Sequence, residues 1–141
     1  MEREINWLVE KLIQQYPNLE EKTPQKARDW LKTRILWGIP KGFVYFWGDE
    51  LGPYGGILLR PVNDTLVTQG TFDYWGHFWD FDPKGDILFV DYAYGPGLYP
   101  QMIHLCRTTG CKHLGWRHRD RMHIRPMDRM PGKSMKLAFH I

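Results

Sequence analysis

Three observations predict an α/β chain of the α+β type. Apolar residues recur with helical spacing through the first part of the sequence. Short β-rich runs separated by turn residues take over from Phe43. A strand, a glycine turn, a helix and a second strand then follow one another across Gly85–Arg117. With 141 residues and 43% hydrophobic content, the chain is sized for one core. No repeat and no low-complexity linker divides it, so a single domain over residues 1–141 is the economical expectation.

The elements follow in order. Between Glu4 and Tyr16, Ile5, Leu8, Val9, Leu12, Ile13 and Tyr16 fall on one helical face, and Pro17-Asn18 stops the helix. Thr23 is a good N-cap with Pro24 at the first helical position, so a second helix is expected from Pro24 to about Trp37. Gly38, Pro40 and Gly42 end it. Phe43–Trp47 reads as a strand, Gly48–Pro53 as a turn, and Tyr54–Val62 as the next strand. Asn63-Asp64 reads as a further turn and Leu66–Gly70 as a short strand or loop edge. Thr71–Phe81 is aromatic and acidic, with no definite periodicity. Pro83-Lys84-Gly85 turns the chain into a strand from Ile87 to Tyr92. Gly95-Pro96-Gly97 turns it again into a helix over Leu98–Thr109, closed by Gly110. Cys111–Trp116 reads as a strand, Met122–Arg125 as extended and Lys136–Ile141 as a last strand.

Charge is unevenly spread. Residues 1–100 carry 10 Lys+Arg against 14 Asp+Glu, whereas 101–141 carry 9 against 2. A basic C-terminal segment on an acidic body suits an anionic partner such as phosphate, a coenzyme, nucleic acid or an acidic protein surface; it suits compensation within the fold equally. Seven each of Trp, Tyr and Phe exceed what one small core needs, so some rings are expected at a groove, an interface or the core's edge. Two cysteines, Cys106 and Cys111, make no disulfide framework. Charged residues interrupt the opening segment, and no apolar run approaches the roughly 20 residues a bilayer requires. The expected setting is cytoplasmic with reduced thiols, or virion-associated if the chain is phage-encoded.

The order of elements resembles the GNAT family of N-acetyltransferases, on the strand Ile87–Tyr92, the turn Tyr94-Gly95-Pro96-Gly97, the helix Leu98–Thr109 and the strand Cys111–Trp116. The resemblance implies a mostly antiparallel central sheet with two N-terminal helices and one helix after the central strand. It implies acetyl-coenzyme A as cofactor, bound by Val90, Gly95, Gly97, Leu98 and Tyr99 with its pyrophosphate over Gly95, Gly97 and the start of the Leu98 helix, and an amine as acyl acceptor. The family's loop pattern places Gln or Arg three residues before the first glycine; here Tyr92 stands there, and Pro96 and Pro100 each lack a backbone donor.

Acyl transfer to an amine needs a base, a donor to the carbonyl oxygen and an acid for the leaving thiolate. Asp91 is the candidate base, and Tyr92 and Tyr94 the candidate proton donors; a paired strand-end carboxylate and two core rings are the structural alternatives. His104, Cys106, Cys111, His113, His118 and His123 are zinc-type ligands without the tight spacing of a zinc unit. His104 and Cys106 stand about 200° apart on a helix, so no metal is expected.

Arg117, Arg119, Arg121 and Arg125 follow Trp116, and on one extended segment Arg117, Arg119 and Arg121 would form a guanidinium ladder for phosphates or an acidic groove. Two functions therefore stand side by side. One is an acyl-CoA-dependent N-acyltransferase. The other is a non-catalytic binding protein of the same fold, for example a virus or prophage accessory protein, engaging a protein assembly or nucleic acid through this basic segment.

Overall fold

Helix α1 (Glu2–Gln15) buries Ile5, Leu8, Val9 and Leu12, the stripe its spacing foretells. Helix α2 (Pro24–Gly38) starts where Thr23 and Pro24 mark it: the Thr23 hydroxyl accepts from the Lys26 amide at 3.4 Å. Its buried face carries Ala27, Leu31 and Ile35, and a single 3₁₀ turn, Ile39–Lys41, ends at left-handed Gly42. These are features of a computed structural model, which describes residues 1–16, 23–68, 79–118 and 121–129. The expected stop at Pro17-Asn18, most of the aromatic segment from Thr71, and the expected last strand Lys136–Ile141 lie outside the described residues.

Among the described residues there are four α-helices and five strands: β1 (Val44–Asp49), β2 (Gly52–Val62), α3 (Asp64–Thr68), β3 (Ile87–Tyr94), α4 (Leu98–Thr109), β4 (His113–His118) and β5 (Arg121–Pro126) follow α2. The fold is α+β, and one sheet has the order β1-β2-β3-β4-β5. That sheet is mixed, because it contains a parallel pair beside antiparallel ones. β1 pairs with β2 and β4 with β5 antiparallel, whereas β3 runs parallel to β4. A parallel pair cannot be closed by a hairpin, and α4 is the crossover that joins it.

Several boundaries differ from the sequence expectation for local reasons. The β1–β2 turn is shorter than Gly48–Pro53, because Asp49 still pairs with Gly52 and its carboxylate accepts from the Leu51 amide at 2.8 Å. Asn63 is a helix cap, not merely a turn residue: its side chain accepts from the Leu66 amide at 2.8 Å. The chain therefore enters α3, a helix of five residues, where a strand or loop edge is expected from Leu66. β3 runs on to Tyr94, two residues beyond Tyr92.

The chain divides into two compact units, Met1–Leu58 with Tyr92–Pro96, and Leu59–Asp91 with Gly97–Ile141. In the first, α1 and α2 cover a core that includes Leu8, Leu12, Leu31, Ile35 and Ile57, all fully buried. In the second, Val62, Val67, Ile87 and Phe89 form one cluster, with Leu66 and Met122 packed against it. No helix among the described residues is long and apolar enough to cross a membrane.

Candidate functional site: the glycine turn and the start of the fourth helix

The strand that leads to the turn is held by hydrogen bonds from the end of α1 and from its C-cap, Tyr16. Gln15 Nε2 donates to the Ala93 carbonyl at 2.7 Å. The Tyr16 hydroxyl donates to the same oxygen and accepts from the Ala93 amide, both at 3.1 Å. Rings pack around these bonds: Tyr92 meets Tyr16 and Trp30 edge-on, and Tyr94 meets Trp7. Trp47 Nε1 donates to the Pro96 carbonyl at 3.0 Å, so the middle residue of the turn is anchored to β1.

Both glycines of the turn are required by geometry. Gly95 has φ +126°, and a Cβ there would lie 2.5 Å from the Gly55 Cα and 2.7 Å from the Tyr54 carbonyl oxygen. Gly97 has φ +69° with open space where its Cβ would be. It is the N-cap of α4 and provides no side-chain cap. The first amides of any helix have no acceptor within the helix, and the macrodipole places about half a positive charge there. Leu98 and Tyr99 are the first two helical residues; Pro100 is the third and brings no N–H to satisfy. At the other end Gly110, at φ +78°, closes α4.

Val90 is the last residue of β3 in register with β4, opposite Trp116. β3 nevertheless continues to Tyr94 and β4 to His118. The parallel pairing thus ends before either strand does. Among the sequence-nominated cofactor residues, Val90, Gly97, Leu98 and Tyr99 belong to the second unit and Gly95 to the first.

Asp91 has a strong partner. Arg60, wholly buried, sends Nε to both carboxylate oxygens at 3.2 and 3.0 Å and Nη2 to Oδ1 at 3.0 Å. Its Nη1 donates to the Asp80 carbonyl at 2.7 Å, and the guanidinium lies 5.8 Å from the centre of the Phe89 ring. The Asp91 side chain is 3% exposed. This is a buried, bidentate ion pair, and a carboxylate so engaged is a structural anchor for the outer half of β3 rather than a base open to solvent. Tyr92 is buried and Tyr94 half-buried, with the Lys11 ammonium 5.7 Å from the Tyr94 ring centre.

The arginine ladder expected along one segment is replaced by a hairpin. β4 ends at His118 and β5 begins at Arg121, so Arg117 lies opposite Met122 and Arg121 opposite His118. Arg119 lies outside the described residues. The hairpin brings together a group that one-strand reasoning misses. Trp116 pairs with His123 across the strands, their rings stacked at 5.3 Å with 17° between planes, and the Arg125 guanidinium sits 5.9 Å from the Trp116 ring centre.

Thiol chemistry has no support here. Cys106 is wholly buried, and its Sγ donates to the His113 carbonyl at 3.3 Å. Burial, and then the neighbouring Cys111, push its thiol up to about 12. Because the folded state holds this proton more tightly than the unfolded chain, the associated stability is present below the ordinary value of 9.0 and is lost as pH rises toward about 12. Native protein is expected to resist thiol reagents at neutral pH and to lose stability over that alkaline window; Cys106→Ala should flatten the window in pH-dependent denaturant melts. Among the described residues no three His, Cys, Asp or Glu side chains gather to hold a metal.

Compared with protein-family models, curated proteins and solved structures, the chain matches none.

Proposed function

We propose that this chain binds acyl-coenzyme A as a GNAT-like protein and transfers the acyl group to an amine. One observation carries the reading: β3–β4 parallel pairing ends at Val90 and Trp116, and β3 then turns through two positive-φ glycines into a helix with no side-chain cap. A helix start of this kind suits the diphosphate of a coenzyme, which is met by backbone amides and the positive end of the dipole. In this reading Gly97, Leu98 and Tyr99 meet the diphosphate and Val90 borders the acyl-bearing arm, while Gly95 lets the turn lie close against β2. The acceptor enters as the neutral amine, and the proton it gives up on acylation goes to the coenzyme thiolate, so the products are an amide and the free coenzyme thiol. Asp91, bound by Arg60, is not the base in this reading.

The decisive test is a thermal melt with acetyl-coenzyme A. A ligand at a hundred times its dissociation constant stabilises the fold by about 2.7 kcal/mol, and inorganic phosphate alone should not reproduce the shift. No shift with millimolar coenzyme ends the proposal.

A second reading keeps the fold and drops the transfer, leaving a binding subunit of an assembly such as a virion. The engagement of Asp91 favours it. Release of free coenzyme thiol on incubation with a panel of amines separates the two: release supports the transferase, and binding without release supports the subunit.

A further inference from the structure

We propose that the β4–β5 hairpin is a binding surface for single-stranded nucleic acid, separate from the coenzyme reading and resting on different residues. The sequence from Lys112 to Arg129 holds six Lys and Arg against two Asp, with three His among them. Among the described residues β5 is the last strand in the sheet order, and β4 and β5 themselves carry Arg117, Arg121 and Arg125 with no Asp or Glu. Arg125 is exposed and makes no ion pair among the described residues. Beside it the half-buried rings of Trp116 and His123 are stacked at 5.3 Å, with the Arg125 guanidinium 5.9 Å from the indole centre.

The arrangement combines the two elements that such ligands require. Cationic side chains track phosphates, and flat rings offer a surface on which unpaired bases stack. A duplex hides its base faces and would use only the charges. An acidic protein surface would likewise use the arginines and leave the ring pair without a role. The stacked Trp116–His123 pair is therefore what selects the single strand. Pre-stacking also lowers the entropy cost of presenting the rings, since each is already held by its cross-strand partner.

Fluorescence anisotropy with a labelled oligodeoxythymidylate tests this on the full chain. Binding is expected at low salt, with affinity falling by about 0.7 log unit per log unit of salt for each phosphate contacted. Arg125→Glu is expected to weaken it at least about tenfold, and His123→Ala by about fivefold or more through lost stacking. Arg125 is exposed, so the fold should survive its replacement; Arg125→Gln, which removes the charge alone, serves if it does not. The proposal is overturned by no binding of the oligonucleotide, by tighter binding of a duplex of equal length, by salt-insensitive binding, or by unchanged affinity in the Arg125 variants. Equal competition by polyglutamate would point to an acidic protein surface and also overturn it. None of these readouts involves acetyl-coenzyme A, so the two proposals stand or fall separately.

Discussion

Asp91→Ala is expected to cost about 3–5 kcal/mol, enough to remove much of the stability of an ordinary small domain. The substitution deletes little apolar surface. Its effect comes from what remains: Arg60 is wholly buried and would lose its bidentate partner, keeping the Asp80 carbonyl. A guanidinium cannot escape by deprotonating, so the charge deprived of Asp91 would either stay buried at a high cost or drag water into the core. Denaturant melts of Asp91→Ala and of the double variant Arg60→Met/Asp91→Leu distinguish this account from simple loss of a contact. An uncompensated charge predicts that the double variant recovers most of the stability, because both charges are gone and only the hydrogen bond to the Asp80 carbonyl is lost. If both are equally unstable, the pair contributes through its hydrogen bonds and not through the penalty of burying one partner alone.

Gly95→Ala is the second large effect expected, about 2–5 kcal/mol in the same assay. Two costs combine: a positive φ that side chains resist, and a Cβ driven against the Gly55 Cα and the Tyr54 carbonyl. Both neighbours are backbone, so neither can swing aside. Gly97→Ala is the matched control. It shares the positive φ but meets open space, so only the conformational cost of about 1 kcal/mol remains. A Gly95 variant no worse than the Gly97 variant would show that β2 yields at this point and that the turn is not rigidly held.

Local signals carried the reading of this chain a long way. Thr23-Pro24, the helical stripe from Ile5, and Gly110 announce the ends and faces of α1, α2 and α4, because caps and periodicity act within a few residues. The Leu98–Thr109 helix lies where its sequence places it. Signals that act at a distance were less legible. Asn63 looks like a turn residue until its side chain is seen to cap α3. Whether Trp116 is followed by one strand or a hairpin is decided by pairing, which spacing does not report, and so the stacked Trp116–His123 pair was missed. Arg60 did leave a trace: it is the one charge in the apolar run Ile57–Val62, and such a charge needs a buried partner. Nothing in the sequence named Asp91 as that partner, 31 residues away. The same long-range pairing turns the nominated base into an anchor.

The central claim is that the turn and first amides of α4 receive the coenzyme diphosphate. An amide-resolved NMR titration with acetyl-coenzyme A tests it most directly. The account predicts saturable shifts that are largest at Gly97, Leu98 and Tyr99, with Val90 next, and their disappearance in Gly97→Asp, where a carboxylate would occupy the place of the anion. Shifts confined to other segments, or none at these amides with the coenzyme in large excess, would contradict it.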